Sequence, residues 1–101
     1  MELLPEEVAN TVPPLYSQEK EKDPIVYVKF FHPLSPWTWY ATEYDPKERI
    51  FYGWVYGDFP EMGYFSLEEM EQTIVMGLGM ERDLYFKPMR LSEVKKLHHR
   101  S

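Results

Sequence analysis

From Ile25 to Phe31 the residues alternate at strand spacing, with Val26, Val28 and Phe30 on one side and Tyr27, Lys29 and Phe31 on the other. His32-Pro33-Leu34-Ser35-Pro36 ends this run, because a proline has no N–H to give to a ladder. Alternation resumes over Trp37–Tyr44, where Trp37, Trp39 and Ala41 oppose Thr38, Tyr40, Thr42 and Tyr44. Asp45-Pro46-Lys47-Glu48 is turn chemistry and predicts a hairpin into a third strand over 50–56. There Tyr52, Trp54 and Tyr56 share a face, while Gly53 interrupts the opposite row. Gly57 to Gly63 reads as a loop.

Helical signals flank these strands. Leu4-Pro5-Glu6-Glu7-Val8 opens a short helix, with proline and two acids in the first turn, and Pro13-Pro14 stops it. The charged run Gln18–Pro24 is an exposed connection. Ser66 with Glu69 has the spacing of a capping box, and Phe65 can staple onto Met70; Gly77 and Gly79 bound that helix. Leu84–Lys87 reads as a short strand ended by Pro88. Ser92 caps a final helix through Leu97, whose Lys95, Lys96 and His98 suit its negative end. The expected fold is α+β: one domain over 1–101, an antiparallel meander of three to four strands with short helices packed on it.

Composition narrows the class. No apolar run approaches the ~20 residues of a membrane span, and the acidic start of the chain is unlike a secretory signal. Cysteine is absent, which excludes disulfides and thiolate metal sites and fits a reducing cytoplasm. The net charge of −6 is uneven: Lys87, Arg90, Lys95, Lys96 and Arg100 make the last eighteen residues basic. A chain acidic overall is a poor polyelectrolyte binder, and the basic end reads as a solvated helix.

Fourteen of the seventeen aromatic residues lie between Tyr27 and Phe65. Rings at alternate strand positions can stack bases, or can serve only as cross-strand packing. Lys29, beside Tyr27 and Phe31, could supply a phosphate contact. Carboxylates are plentiful, but Glu43, Asp45, Asp58, Glu61, Glu81 and Asp83 have no spacing specific to a metal site. His32 and the adjacent His98-His99 read as structural or solvated. Gly77-Leu78-Gly79 lacks the third glycine of a dinucleotide fingerprint. Arg82, between Glu81 and Asp83, reads as a structural ion pair or an anion-binding arginine. Neither a metal nor a cofactor is expected.

Several segments together resemble a small bacterial family, domain of unknown function 2958. They are Pro14–Glu19, Asp23–Phe31, Trp37–Tyr40, Gly63–Ser66 and Glu81–Phe86. The resemblance implies an accessory protein of bacteria, plasmids, integrative elements or phages, and some members carry a label of single-stranded DNA endonuclease. It implies no catalytic residue.

The expected function is a non-enzymatic binding module that uses an aromatic sheet face or adjoining groove. Its partner is a protein or a single-stranded nucleic acid, and monomer and homo-oligomer both stay open. Tyr27, Lys29, Tyr40, Tyr52, Trp54 and Arg82 are the expected binding residues. The alternative is metal-dependent cleavage of single-stranded DNA, which needs two carboxylates from Glu43, Asp58, Glu61 and Asp83 to converge on one cation.

Overall fold

In the computed structural model, which describes residues 1–99, the three expected strands form the centre of an antiparallel sheet. Helix α1 (Glu6–Ala9) precedes β1 (Ile25–Val26), β2 (Val28–Phe31), β3 (Thr38–Asp45), β4 (Ile50–Tyr56) and β5 (Glu61–Ser66). Then come α2 (Leu67–Gln72), the two-residue strands β6 (Ile74–Val75), β7 (Leu78–Gly79), β8 (Glu81–Arg82) and β9 (Met89–Arg90), and α3 (Leu91–His98). The main sheet runs β5-β4-β3-β2-β8, while β1 pairs with β9 and β6 with β7. The fold is α+β, as the alternation predicts.

The sheet is covered on both faces. On one, Val28, Phe30, Ala41, Tyr44 and Phe51 pack against Leu3, Leu4 and Val12 from the N-terminal segment and Leu67 and Met70 from α2. On the other, Tyr40 and Trp54 pack against Leu91 and Val94 of α3, with Val26 beside them. Phe51 is fully buried, its ring 4.5 Å from that of Tyr44 and 5.2 Å from those of Phe30 and Phe65.

Strict alternation fails at two places, each for a local reason. Val26 faces α3 while Val28 and Phe30 face α2, because β1 leaves the main sheet to pair with β9 and the ladder with β3 starts afresh at Val28. Tyr44 likewise joins Phe51 instead of Tyr40. The β3–β4 register shifts between Ala41 and Glu43, so Thr42 is the extra residue of a bulge. Its hydroxyl donates to Tyr52 O at 3.0 Å. Gly53 stands opposite, where an added Cβ would lie 1.8 Å from Tyr40 O, so the strands close on each other only without a side chain there.

Three further expectations are corrected. The loop after β4 is shorter than 57–63, since β5 begins pairing at Glu61. Leu84–Lys87 is not a strand: Asp83 accepts the Tyr85 N–H at 2.9 Å and the Phe86 N–H through its carbonyl, which turns the chain locally. The stretch before Gly77 and Gly79 is not helix either, as α2 ends at Gln72. Met76 and Gly77 both have positive φ, which suits a tight turn between β6 and β7. The resulting hairpin exposes Ile74, Val75, Met76 and Leu78.

The helix caps divide. Ser66 caps α2 as expected, accepting the Glu69 N–H at 3.1 Å. For α3 the capping group comes from far along the chain: Asp23 accepts both the Ser92 N–H at 2.8 Å and the Ser92 hydroxyl at 2.7 Å. Those two hydrogen bonds hold the Asp23 carboxyl below its ordinary pKa.

Candidate functional site: a groove lined by tyrosines

Helix α3 covers Tyr40 and Trp54 but does not reach the whole face. Beyond it a groove of about 450 Å³ runs between the segment Tyr16–Pro24, the strands β3–β5 and the outer side of α3. Tyr16, Glu43, Tyr52, Met62, Tyr64 and Lys95 line it. Tyr52 and Tyr64 are cross-strand partners with ring centroids 4.9 Å apart, and Tyr64 is 57% exposed. The Tyr16 phenol lies beside that of Tyr64, and this proximity, with slight burial, raises the Tyr64 pKa above its ordinary value. The three tyrosines therefore form one contiguous wall.

The wall is built from behind by a buried carboxylate. Glu43 is 4% exposed, and its two oxygens accept the backbone N–H groups of Tyr16 at 2.9 Å and Gln18 at 2.8 Å. The bulge at Thr42 aims Glu43 toward this face. The Gln18 side chain completes the seam. Its amide NH₂ donates to Ile25 O and Thr42 O, and its amide oxygen accepts the Ile25 N–H. Held this way, Tyr16 takes a φ of 72°, a left-handed backbone that bulky residues avoid. Such strain costs about 1–3 kcal/mol and persists only where the surroundings impose it. Here the Glu43 carboxylate binds the amides of Tyr16 and Gln18, and the Glu19 N–H donates to Tyr16 O.

The expected site residues divide. Tyr52 lies in the groove. Tyr40 and Trp54, 2% and 4% exposed, are closed off beneath α3 and offer no open ring for stacking. The Tyr40 hydroxyl shares a 2.6 Å hydrogen bond with His98 Nε2, and burial, reinforced by the Asp83 charge, pushes its pKa up to about 12. Burial also lowers the pKa of His98, whose ring stacks on Tyr56 at 3.9 Å. Tyr27 is half-buried at the margin of the opposite core. Lys29 pairs with Asp83 at 3.5 Å. Among the described residues Arg82 makes no carboxylate contact: it donates to Leu3 O at 2.8 Å and Glu2 O at 3.4 Å, tying the N-terminal segment to β8. Tyr27, Lys29, Tyr40, Trp54 and Arg82 thus do not converge with Tyr52.

Two larger hollows, of about 620 and 470 Å³, border Met1 and β8. The second contains Lys29 and Arg82, whose polar ends already meet Asp83 and backbone carbonyls.

Two of the carboxylates named for metal-dependent cleavage already have partners within the fold. Glu43 holds backbone amides, Asp83 holds Lys29 and the Tyr85 N–H, and among the described residues no three acids or histidines are placed to hold an ion. His32 is structural: Nδ1 accepts the Leu34 N–H and Nε2 donates to Leu78 O, fastening the β6–β7 hairpin. Of the basic end, Arg90 and Lys96 meet Glu21 and Glu93, and Arg100 lies outside the described residues. No helix among the described residues is long and apolar enough to cross a membrane.

Sequence reasoning missed Tyr16, Tyr64 and the role of Glu43. Tyr16 stands outside the aromatic stretch, and its partners are 27 and 48 positions away. No curated protein and no solved structure matches the chain. A family model described as a protein of unknown function (DUF2958) matches residues 3–100, and the chain belongs to that family.

Proposed function

We propose that this protein is a small, non-enzymatic binding module of bacterial or mobile-element type, working in the cytoplasm, whose tyrosine groove grips a segment of a partner protein. The observation that supports this reading is the strained, carboxylate-held Tyr16 set against Tyr52 and Tyr64. Tyrosines supply large, rigid contact area with few rotors to freeze, and hydroxyls for hydrogen bonding at the rim. A groove of this size lies in the range that accepts a few side chains.

Charge favours protein over nucleic acid as the ligand. The lining carries Glu19, Glu21 and Glu43 against Lys22 and Lys95, and the chain as a whole is at −6. Phosphate backbones are repelled by such a field, whereas a peptide bearing a lysine or arginine is welcomed by it.

A random-peptide display library panned against the wild-type protein and against Y52A/Y64A tests the proposal. Peptides enriched on wild type and lost on the double variant, with binding that survives 0.3 M salt, are the expected result. Fluorescein-labelled oligothymidylate serves as the competing probe. Tight, steeply salt-dependent binding of that probe, sensitive to the same substitutions, would transfer the groove to single-stranded nucleic acid. No difference between the two proteins with either probe refutes the groove as a site.

A further inference from the structure

The main sheet has two edges, and only one of them is guarded. At the β8 edge the strand is two residues long and charged, and its Arg82 N–H is met by Met1 Sδ at 3.2 Å. These are ordinary ways of blunting an edge. At the other edge β5 runs six residues, Glu61-Met62-Gly63-Tyr64-Phe65-Ser66, with one charge, at its start, and no bulge.

The phase of the β4–β5 ladder tells which backbone groups of β5 are free. The Leu67 N–H donates to Arg49 O, so those two residues are a hydrogen-bonded pair, and such pairs alternate along an antiparallel ladder. Phe65, Gly63 and Glu61 therefore turn their backbone groups inward to Phe51, Gly53 and Val55. Met62 and Tyr64 turn theirs outward, and among the described residues no hydrogen bond reaches them. The same two residues put their side chains into the groove.

We infer that β5 pairs with β5 of a second copy about a two-fold axis, joining two sheets into one of ten strands. Directly opposed residues must share a face and a phase, which a dyad at Gly63 satisfies. It sets Met62 of each copy against Tyr64 of the other, so that every outward N–H meets an outward carbonyl. Gly63 meets Gly63 at the axis, where neither strand carries a side chain. Glu61 comes opposite Phe65, so the one charge of each strand stays away from its counterpart. Tyr64, 57% exposed, gains cover, and the two tyrosine grooves become neighbours on one face. The pairing stands whatever fills those grooves.

Sedimentation velocity on the full chain across about two decades of concentration reads the mass. The expected result is passage from 12.2 kDa to twice that value, favoured by salt because each copy is at −6. Amide exchange on the same samples reads the phase. Protection at Met62 and Tyr64 should rise with concentration, while Gly63 and Phe65 stay protected throughout. Y64P removes an outward donor without touching the ladder to β4 and should weaken association about tenfold or more. Y64K, which keeps every backbone group, guards against misfolding of the proline variant and should also weaken the dimer by placing a cation at the seam. A chain that stays at 12.2 kDa at the highest concentration overturns the inference. So does a dimer whose formation leaves the Met62 and Tyr64 amides unchanged, as a dimer through the β6–β7 hairpin would.

Discussion

The two faces of this sheet are closed by different means. On the α2 face the cover is apolar volume: Leu3, Leu4, Val12, Leu67 and Met70 over Phe30 and Phe51, with three aromatic neighbours around Phe51. On the α3 face, Leu91 and Val94 are supplemented by a few polar fastenings, Asp23 on Ser92 and Tyr40 on His98. Volume closes the face over Phe30 and Phe51, which are fully buried. Fastenings close the other face locally, and the strip they leave is where Tyr52 and Tyr64 meet solvent and Glu43 holds Tyr16. One sheet thus combines a face packed with apolar volume and a face fastened locally and left partly open.

The sharpest way to test that division is to damage the closed face. Phe51→Ala removes a fully buried ring and leaves a cavity ringed by Phe30, Tyr44 and Phe65. The expected loss is about 3–5 kcal/mol in urea denaturation, a large part of what a domain this size has. A loss below that of Glu43→Gln would show that the α2 face is not the stable half.

Glu43→Gln addresses the open face. An amide presents one acceptor where the carboxylate presents two, so one of the Tyr16 and Gln18 N–H groups loses its partner. The expected cost is about 1–3 kcal/mol. A more specific consequence is faster amide exchange at Tyr16 and Gln18 with little change in β4. Equal loosening of both faces would deny that the groove wall is a separate unit.

How much of this was legible follows from the range of each interaction. Strands and turns could be read because alternation, Pro33, Pro36 and Asp45-Pro46 act locally. The bulge at Thr42 could not, since it depends on Gly53 letting β4 close on Tyr40 O across the sheet. That one residue moves Tyr44 to the other face and aims Glu43 at the groove. Tyr40 and Trp54 read as binding residues because rings at alternate strand positions suit stacking as well as packing. What distinguishes core from surface there is α3, docked through Asp23 and Ser92, 69 positions apart. The site failed to be legible for the same reason: Tyr16, Glu43 and Tyr64 become neighbours only in the fold.

Asp23→Ala should act mainly on α3. Removing the carboxylate frees the Ser92 N–H and hydroxyl, and the helix loses the tie that holds its first turn to the chain before β1. The urea midpoint should fall by less than for Glu43→Gln, with amide exchange rising through α3 and near Trp54. Indole fluorescence should shift red as Trp54 gains water. Unchanged exchange in α3 would mean that Leu91 and Val94 hold the helix unaided.

The smallest expected effect is a pH dependence confined to the α3 face. His98 sits against Tyr40, Trp54 and Tyr56, and burial there, aided by the Lys29 and His99 charges, lowers its pKa below the 6.5 of an unfolded chain. Well above pH 7 the ring is neutral in both states and contributes no slope. As pH falls through 6.5 the unfolded chain binds the proton first, so stability declines until the lower folded value is passed. Asp23, with its carboxyl already below 3.8, loses its stabilising charge only in a separate and more acidic window. Urea midpoints between pH 7.5 and 5.5 should therefore drift down for the wild type and less for His98→Phe, which keeps a ring on Tyr56 but cannot take a proton. Parallel slopes for the two proteins would place the acid sensitivity elsewhere than the α3 face.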